Sequence, residues 1–163
     1  MDITEKMQNA FNKQINNELF SEYLYLSLAS FFAEKNLNGF ANWFKLQAQE
    51  EHAHAMKLYD YVIDRDGKVL LESIPAPPNS WPNELDAVEK VVEHEKKVTK
   101  MIDELFNLAK IEHDSASEVF LHWFVTEQVE EEASAKDTLD KTRMVSDSKH
   151  GIFILDRELA NRK

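Results

Sequence analysis

Four stretches of this chain repeat apolar residues every three or four positions, and near its middle each stripe is broken by a glutamate. The first stripe reads Phe11, Ile15, Glu18, Glu22, Tyr25, Phe32, and the second Phe40, Phe44, Gln47, Glu51, His54, Leu58, Tyr61. The third reads Val88, Val91, Glu95, Val98, Ile102, Leu105, and the fourth Phe120, Phe124, Glu127, Glu131, Ser134. Such spacing puts each set on one face of a helix. Helices with an apolar face bury it against one another, so the pattern predicts an all-α bundle of four helices. The midpoints of helices of equal length share one layer, whichever way each helix runs. Glu18, Glu51, Glu95 and Glu131 then converge inside the core. No Lys or Arg stands on these stripes to neutralise them. An unpaired buried charge costs several kcal/mol, so cations must come from outside. Two divalent metal ions would balance four carboxylates.

The same periodicity predicts helices over about 4–33, 37–66, 82–110 and 115–145, with a short fifth over 152–160. Candidate starts are Asp2 with Glu5, Asn36 or Asn38, Pro82 in a first turn, and Ser115 with Glu118; Gly67 is a candidate stop. With 3 glycines and 4 prolines in 163 residues, little interrupts long helices. A helix of about thirty residues is roughly 45 Å long. The segment Gly67–Trp81, extended, reaches roughly 50 Å. It can cross the whole bundle and start the third helix parallel to the second, where a tight up-down bundle would need no such length. The length suits one domain, residues 1–163.

A net charge of −11 with scattered Lys and Arg argues against a nucleic-acid partner. The absence of cysteine excludes disulfides, iron–sulfur clusters and thiolate zinc sites. No apolar leader region and no run of about eighteen apolar residues occurs, so no membrane partner is expected and a cytoplasmic location is.

The donor set selects the metal. Carboxylates with one imidazole and no thiolate suit iron or manganese better than structural zinc. Glu51 and His54 stand three apart and point inward from adjacent turns, the Glu-x-x-His element of di-iron carboxylate bundles. A lone Glu-x-x-His would mean little; with three further mid-helix glutamates and a long crossover it means much. Glu22 reads instead as a stripe-edge acid that reaches water. His52, His94 and His122 read as exposed or structural, and Trp43 and Trp123 as packing residues.

The runs Asn17-Glu18-Leu19, Tyr23-Leu24-Tyr25-Leu26-Ser27, Gln49-Glu50-Glu51-His52-Ala53-His54-Ala55-Met56, Glu93-His94-Glu95 and Thr126-Glu127-Gln128-Val129-Glu130-Glu131-Glu132 carry a resemblance to the non-haem ferritins of bacteria and archaea. It covers essentially the whole chain. Bacterioferritins and rubrerythrin-like proteins carry a second Glu-x-x-His on the fourth helix, where this chain has Glu127-Gln128-Val129-Glu130. Bacterioferritins place their haem-binding methionine where this chain has His52, which argues against haem.

The resemblance implies a ferritin-like bundle with one long crossover and a short C-terminal helix. It implies a first iron on Glu18, Glu51 and His54, with Glu51 bridging to a second iron on Glu95 and Glu131 beside Gln128. A third iron would use Glu50, Glu127 and Glu130, with Glu131 shared. Tyr25 matches a tyrosine that supplies an electron. The implied activity is a ferroxidase: Fe(II) is oxidised at the pair by oxygen or peroxide, and ferric oxide mineral is stored in a hollow homo-oligomeric shell of twenty-four chains. Two rivals stand beside this reading. One is a non-storage di-iron oxidase or peroxidase of the rubrerythrin-like type, against which the missing second histidine counts. The other is a helical interaction module whose glutamates are merely solvated.

Overall fold

A computed structural model describes residues 1–163. It contains five helices and no strand: α1 (Glu5–Glu34), α2 (Asn38–Asp64), α3 (Glu84–Ile111), α4 (Ser115–Val145) and α5 (Lys149–Leu159). The chain is all-helical, four long helices with a short fifth, as the periodicity predicts. Their ends are set by residues other than those expected. Thr4, not Asp2, caps α1 by accepting from the Met7 amide at 3.3 Å. Asn83 caps α3 and Asp114 caps α4, so Pro82 lies outside the helix and Ser115 is its first residue. Ser148 caps α5 one turn earlier than the apolar cluster suggests. In each case a short polar side chain satisfies an amide that has no partner within the helix.

α2 lacks a cap of its own. Leu37 occupies the position and makes no side-chain bond. Asp156 of α5 substitutes, its Oδ1 accepting from the Phe40 amide at 2.9 Å. The approach is close enough to exclude any side chain at position 39, where a Cβ on Gly39 would lie 1.6 Å from the Asp156 carbonyl oxygen. The first three helices end through a left-handed residue, Asn36, Asp66 and His113, at φ of 61°, 58° and 53°. Asn and Asp tolerate that conformation through local hydrogen bonds, so the left-handed residue that follows the end of α2 is Asp66 and not Gly67.

α1 packs antiparallel on α2 and α3 on α4, while α1 also meets α3, and α5 lies on α2 and α4. The crossover is pinned along α1. Asn12 donates to the Lys68 carbonyl at 2.9 Å and accepts from the Leu70 amide at 3.0 Å, and Ser27 donates to the Pro78 carbonyl at 2.6 Å. Trp81 then stacks edge-on to Phe31, and Lys35 pairs with Glu84 at 3.3 Å. α3 therefore starts beside the end of α1 and runs parallel to α2.

The apolar interior forms two bodies. One, at the end where α5 docks, holds Tyr25, Phe32, Phe40, Phe44, Val88 and Leu139. The other holds Phe11, Ile15, Leu58, Val98, Ile102 and Leu121. Between them lies a polar layer that includes all four mid-helix glutamates.

At the far end of the bundle Arg65 forms a buried hub. Its guanidinium grips both oxygens of Asp114 at 3.1 Å, bonds Tyr61 and Ser117, and donates to the Met1 carbonyl. Asp114 is at the same time the α4 cap. Arg65→Ala would leave a buried carboxylate unpaired, and should lower stability by about 3 kcal/mol in urea unfolding. A loss below about 1 kcal/mol would show the pair to be screened by solvent.

Candidate metal centre

Every one of the four stripe glutamates is buried, with 2% of the surface exposed for Glu18, Glu51 and Glu95 and 6% for Glu131. His54 is buried among them. Three overlapping groups have ligand atoms within 4.8 Å of one another: Glu18, Glu51 and His54; Glu51, Glu95 and Glu131; and His54, Glu127 and Glu131. Glu51 belongs to the first two, so those two groups share one carboxylate. Nδ1 of His54 faces that pair, 3.4 Å from Glu51 and 3.9 Å from Glu18, while Nε2 stands 3.7 Å from Glu127. The indole of Trp123 meets the ring edge-on.

No Lys or Arg bonds these four carboxylates. They are held instead by neutral donors. Gln14 donates to Glu18 at 2.8 Å, and Gln47 donates to Glu51 at 3.1 Å and to Glu131 at 2.6 Å. Tyr25 donates its phenol to Glu95, and Gln128 donates to the other Glu95 oxygen at 3.3 Å. One oxygen stays bare: Oε2 of Glu18 is buried with no hydrogen-bond partner. A buried acceptor left unmade costs about 1–3 kcal/mol, more for a charged group. It faces Glu51 and His54, which is where a cation would lie, and a donor set of carboxylate oxygens with one imidazole nitrogen fits iron.

The electrostatics agree. Burial, then the repulsion of Glu51, pushes the Glu18 carboxyl well above its usual range. Burial, then Glu95 and Glu131, does the same to Glu51. Burial raises Glu95, against the opposing bonds from Tyr25 and Gln128. Glu131 rises to about 8, through burial and then Glu95. The Tyr25 phenol is raised well above 10, by burial and then by Glu95. Such a cluster holds protons when empty and exchanges them for cations.

The other expected residues are scattered. Glu127 joins His54 and Glu131 at the rim. Glu130 is exposed and in none of the three groups, and Glu50 is exposed and ion-paired to Arg162 at 2.8 Å. The four-acid layer is therefore assembled, whereas the third set of Glu50, Glu127 and Glu130 is not. Glu22 is half-buried and meets the exposed His52 at 3.0 Å. His94 bonds Ser21 at 2.8 Å, and burial, followed by Lys97, lowers its pKa to about 4. The buried line of α4 differs from the expected one: it runs Ser117, Leu121, Phe124, Gln128, Glu131, Ala135, leaving Ser134 exposed.

Gln14 and Gln47 were not among the expected site residues, yet a signal for them exists. Each stands four positions before a buried glutamate, one turn away on the same face. Thr99 and Arg162 offer no such signal. Thr99 accepts from Gln128 at 3.1 Å, and with it lines a groove of about 430 Å³ between α3 and α4, next to Glu95.

The family of the Ferritin-like domain matches residues 8–145. A bacterial non-haem ferritin of Bacteroides fragilis is 44% identical over 160 residues, 98% of this chain and 99% of the relative. One from Staphylococcus saprophyticus is 34% identical, over 98% of this chain and 96% of the relative. Among solved structures, an open pore ferritin from the hyperthermophilic archaeon Archaeoglobus fulgidus superposes with a TM-score of 0.97 at 50% identity, covering 99% of this chain and 98% of the other. A closed form of that ferritin, engineered by site-directed mutagenesis, gives 0.98 at 49% identity, covering 99% of each chain.

Proposed function

The chain belongs to the ferritin family, and from that premise we propose that it oxidises Fe(II) at a two-ion centre inside each subunit and stores the ferric product as oxide mineral within a homo-oligomeric shell. The observation that carries this reading is the sharing of Glu51 between two buried ligand groups. Iron here is substrate and cargo. Glu18, Glu51 and His54 would hold one ion, and Glu51, Glu95 and Glu131 the other.

The residues perform separate tasks. As Fe(II) enters, protons held by the four glutamates leave, and charge in the layer stays balanced. Glu51 fixes the spacing of the ions, so that two electrons can pass together to oxygen or peroxide. Gln14, Gln47 and Gln128 orient the carboxylates without adding charge. Tyr25, bonded to Glu95, is placed to supply an electron. The hydrogen-bonded glutamates exchange ligands readily, which suits a site that passes its product on. Glu127, beside His54 and Glu131, would receive the outgoing ion, with Glu50 and Glu130 next on the surface. The exposed Tyr23, Leu26, Leu71, Phe153 and Ile154 supply apolar area for subunit contacts, and a shell of twenty-four chains is the expected assembly.

Addition of Fe(II) in air, with oxidation rate and particle mass followed together, tests the reading. The expected result is rapid oxidation and a soluble, mineral-filled particle. A monomer or dimer that oxidises iron and drops it as precipitate would transfer the chain to the oxidase class. Failure to bind two Fe(II) per subunit without oxygen would remove the centre itself.

A further inference from the structure

The residues that follow α5 turn back along α2, and Arg162 is held there by four residues of that helix. Asn42 donates to the Arg162 carbonyl at 3.3 Å, and the guanidinium lies 4.5 Å over the Trp43 ring. Nη1 donates to the Trp43 carbonyl at 3.3 Å and to Oε1 of Gln47 at 3.0 Å, and Nη2 pairs with Glu50 at 2.8 Å. Gln47 is fully buried, and its Nε2 faces Glu51 and Glu131.

An amide side chain has a donor end and an acceptor end, and nothing in its shape says which way it lies. Arginine has donors only. With Arg162 on the outer side, the acceptor must face outward, and the NH₂ must face the two carboxylates. We propose that Arg162 is a positioning residue for the metal centre: acting through Gln47, it aims the Glu51 and Glu131 oxygens and so sets the affinity of the ion they share with Glu95. The inference rests on the two-ion reading above. It also explains why a cationic side chain stands close to a cation site, where simple Coulomb repulsion would disfavour it.

That opposition gives the test its sign. Arg162→Met keeps the apolar stem over Trp43 and removes charge and donors. If Arg162 acted only as a nearby positive charge, its loss and the release of Glu50 would tighten Fe(II) binding. If it positions Gln47, its loss weakens binding. Oriented partners behind metal ligands are worth about 10–100-fold in affinity. Anaerobic Fe(II) titration of the assembled protein should therefore show one of the two binding steps loosened about tenfold, with stoichiometry, helix content and particle mass unchanged. Gln47→Met should loosen the same step, and the double variant should be no worse than the worse single one. Unchanged or tighter binding in Arg162→Met, or losses that simply add in the double variant, would overturn the inference while leaving the two-ion centre standing. A wild-type protein that binds no iron pair would instead overturn the functional reading, and this inference with it.

Discussion

Glu51→Ala should lower the initial rate of Fe(II) oxidation by about 100-fold or more, while the metal-free protein keeps its fold. Loss of a partner that merely orients a ligand costs about 10–100-fold. Glu51 is itself common to both ligand groups, so its loss should cost at least the upper end of that range. A drop of two decades corresponds to about 2.7 kcal/mol in the barrier. Stability of the metal-free form should hold or rise, because Glu51 is a buried carboxyl whose ionisation is opposed first by burial and then by Glu95 and Glu131. Stopped-flow oxidation kinetics and thermal unfolding of the same preparation check both halves. Oxidation within a few-fold of wild type would remove Glu51 from the centre.

Stability of the metal-free protein should fall as pH rises from about 5 to about 8. Glu18, Glu51, Glu95 and Glu131 all have folded pKa values raised above the usual carboxylate range, Glu131 to about 8. Between the unfolded value and the folded one, the native state holds protons that the unfolded state has released. Its stability then decreases as pH rises through that interval. His94 acts at the other edge. Its folded pKa is depressed to about 4, so the stability it contributes is present above about 6.5 and is lost as pH drops towards 4. The metal-free optimum should lie on the mildly acid side, and Fe(II) added without oxygen should remove the alkaline decline. Urea unfolding at pH 5.5, 7 and 8 in the presence of chelator measures this. A flat or rising profile would contradict the buried cluster.

Much of the centre was legible because its chemistry interrupts a strong pattern. Glu18, Glu51 and Glu95 occupy positions that apolar residues should fill, and the flanking Ile15, Leu58 and Val98 fix the helix phase closely. The fourth helix is less legible. Phe120, Trp123 and Phe124 lie on several faces, while small residues such as Ser117 and Ala135 carry much of its buried line, so an apolar count misplaces the line towards Phe120 and Ser134. Glu131 lies on either line and is buried. Long-range contacts were illegible for a different reason. Nothing local to Leu37 announces that Asp156 will cap its helix, and nothing near Arg162 announces Gln47. Such pairs depend on how α5 docks, which periodicity does not encode.

The polar layer has a consequence for how the molecule opens. It separates two apolar bodies, one around Phe32 and Phe44 and one around Phe11 and Ile102. Dispersion contacts do not run continuously through the bundle, because hydrogen-bonded amides and carboxylates stand between the halves. Local opening follows the density of apolar contacts. The metal-free chain should therefore open as two units in tandem on shared helices, with amide protons near Phe11 exchanging while those near Phe44 stay protected. Ions bound across all four helices would join the units into one. On the two-ion reading cargo would double as a rivet, and the bundle would be most rigid while the iron is in transit.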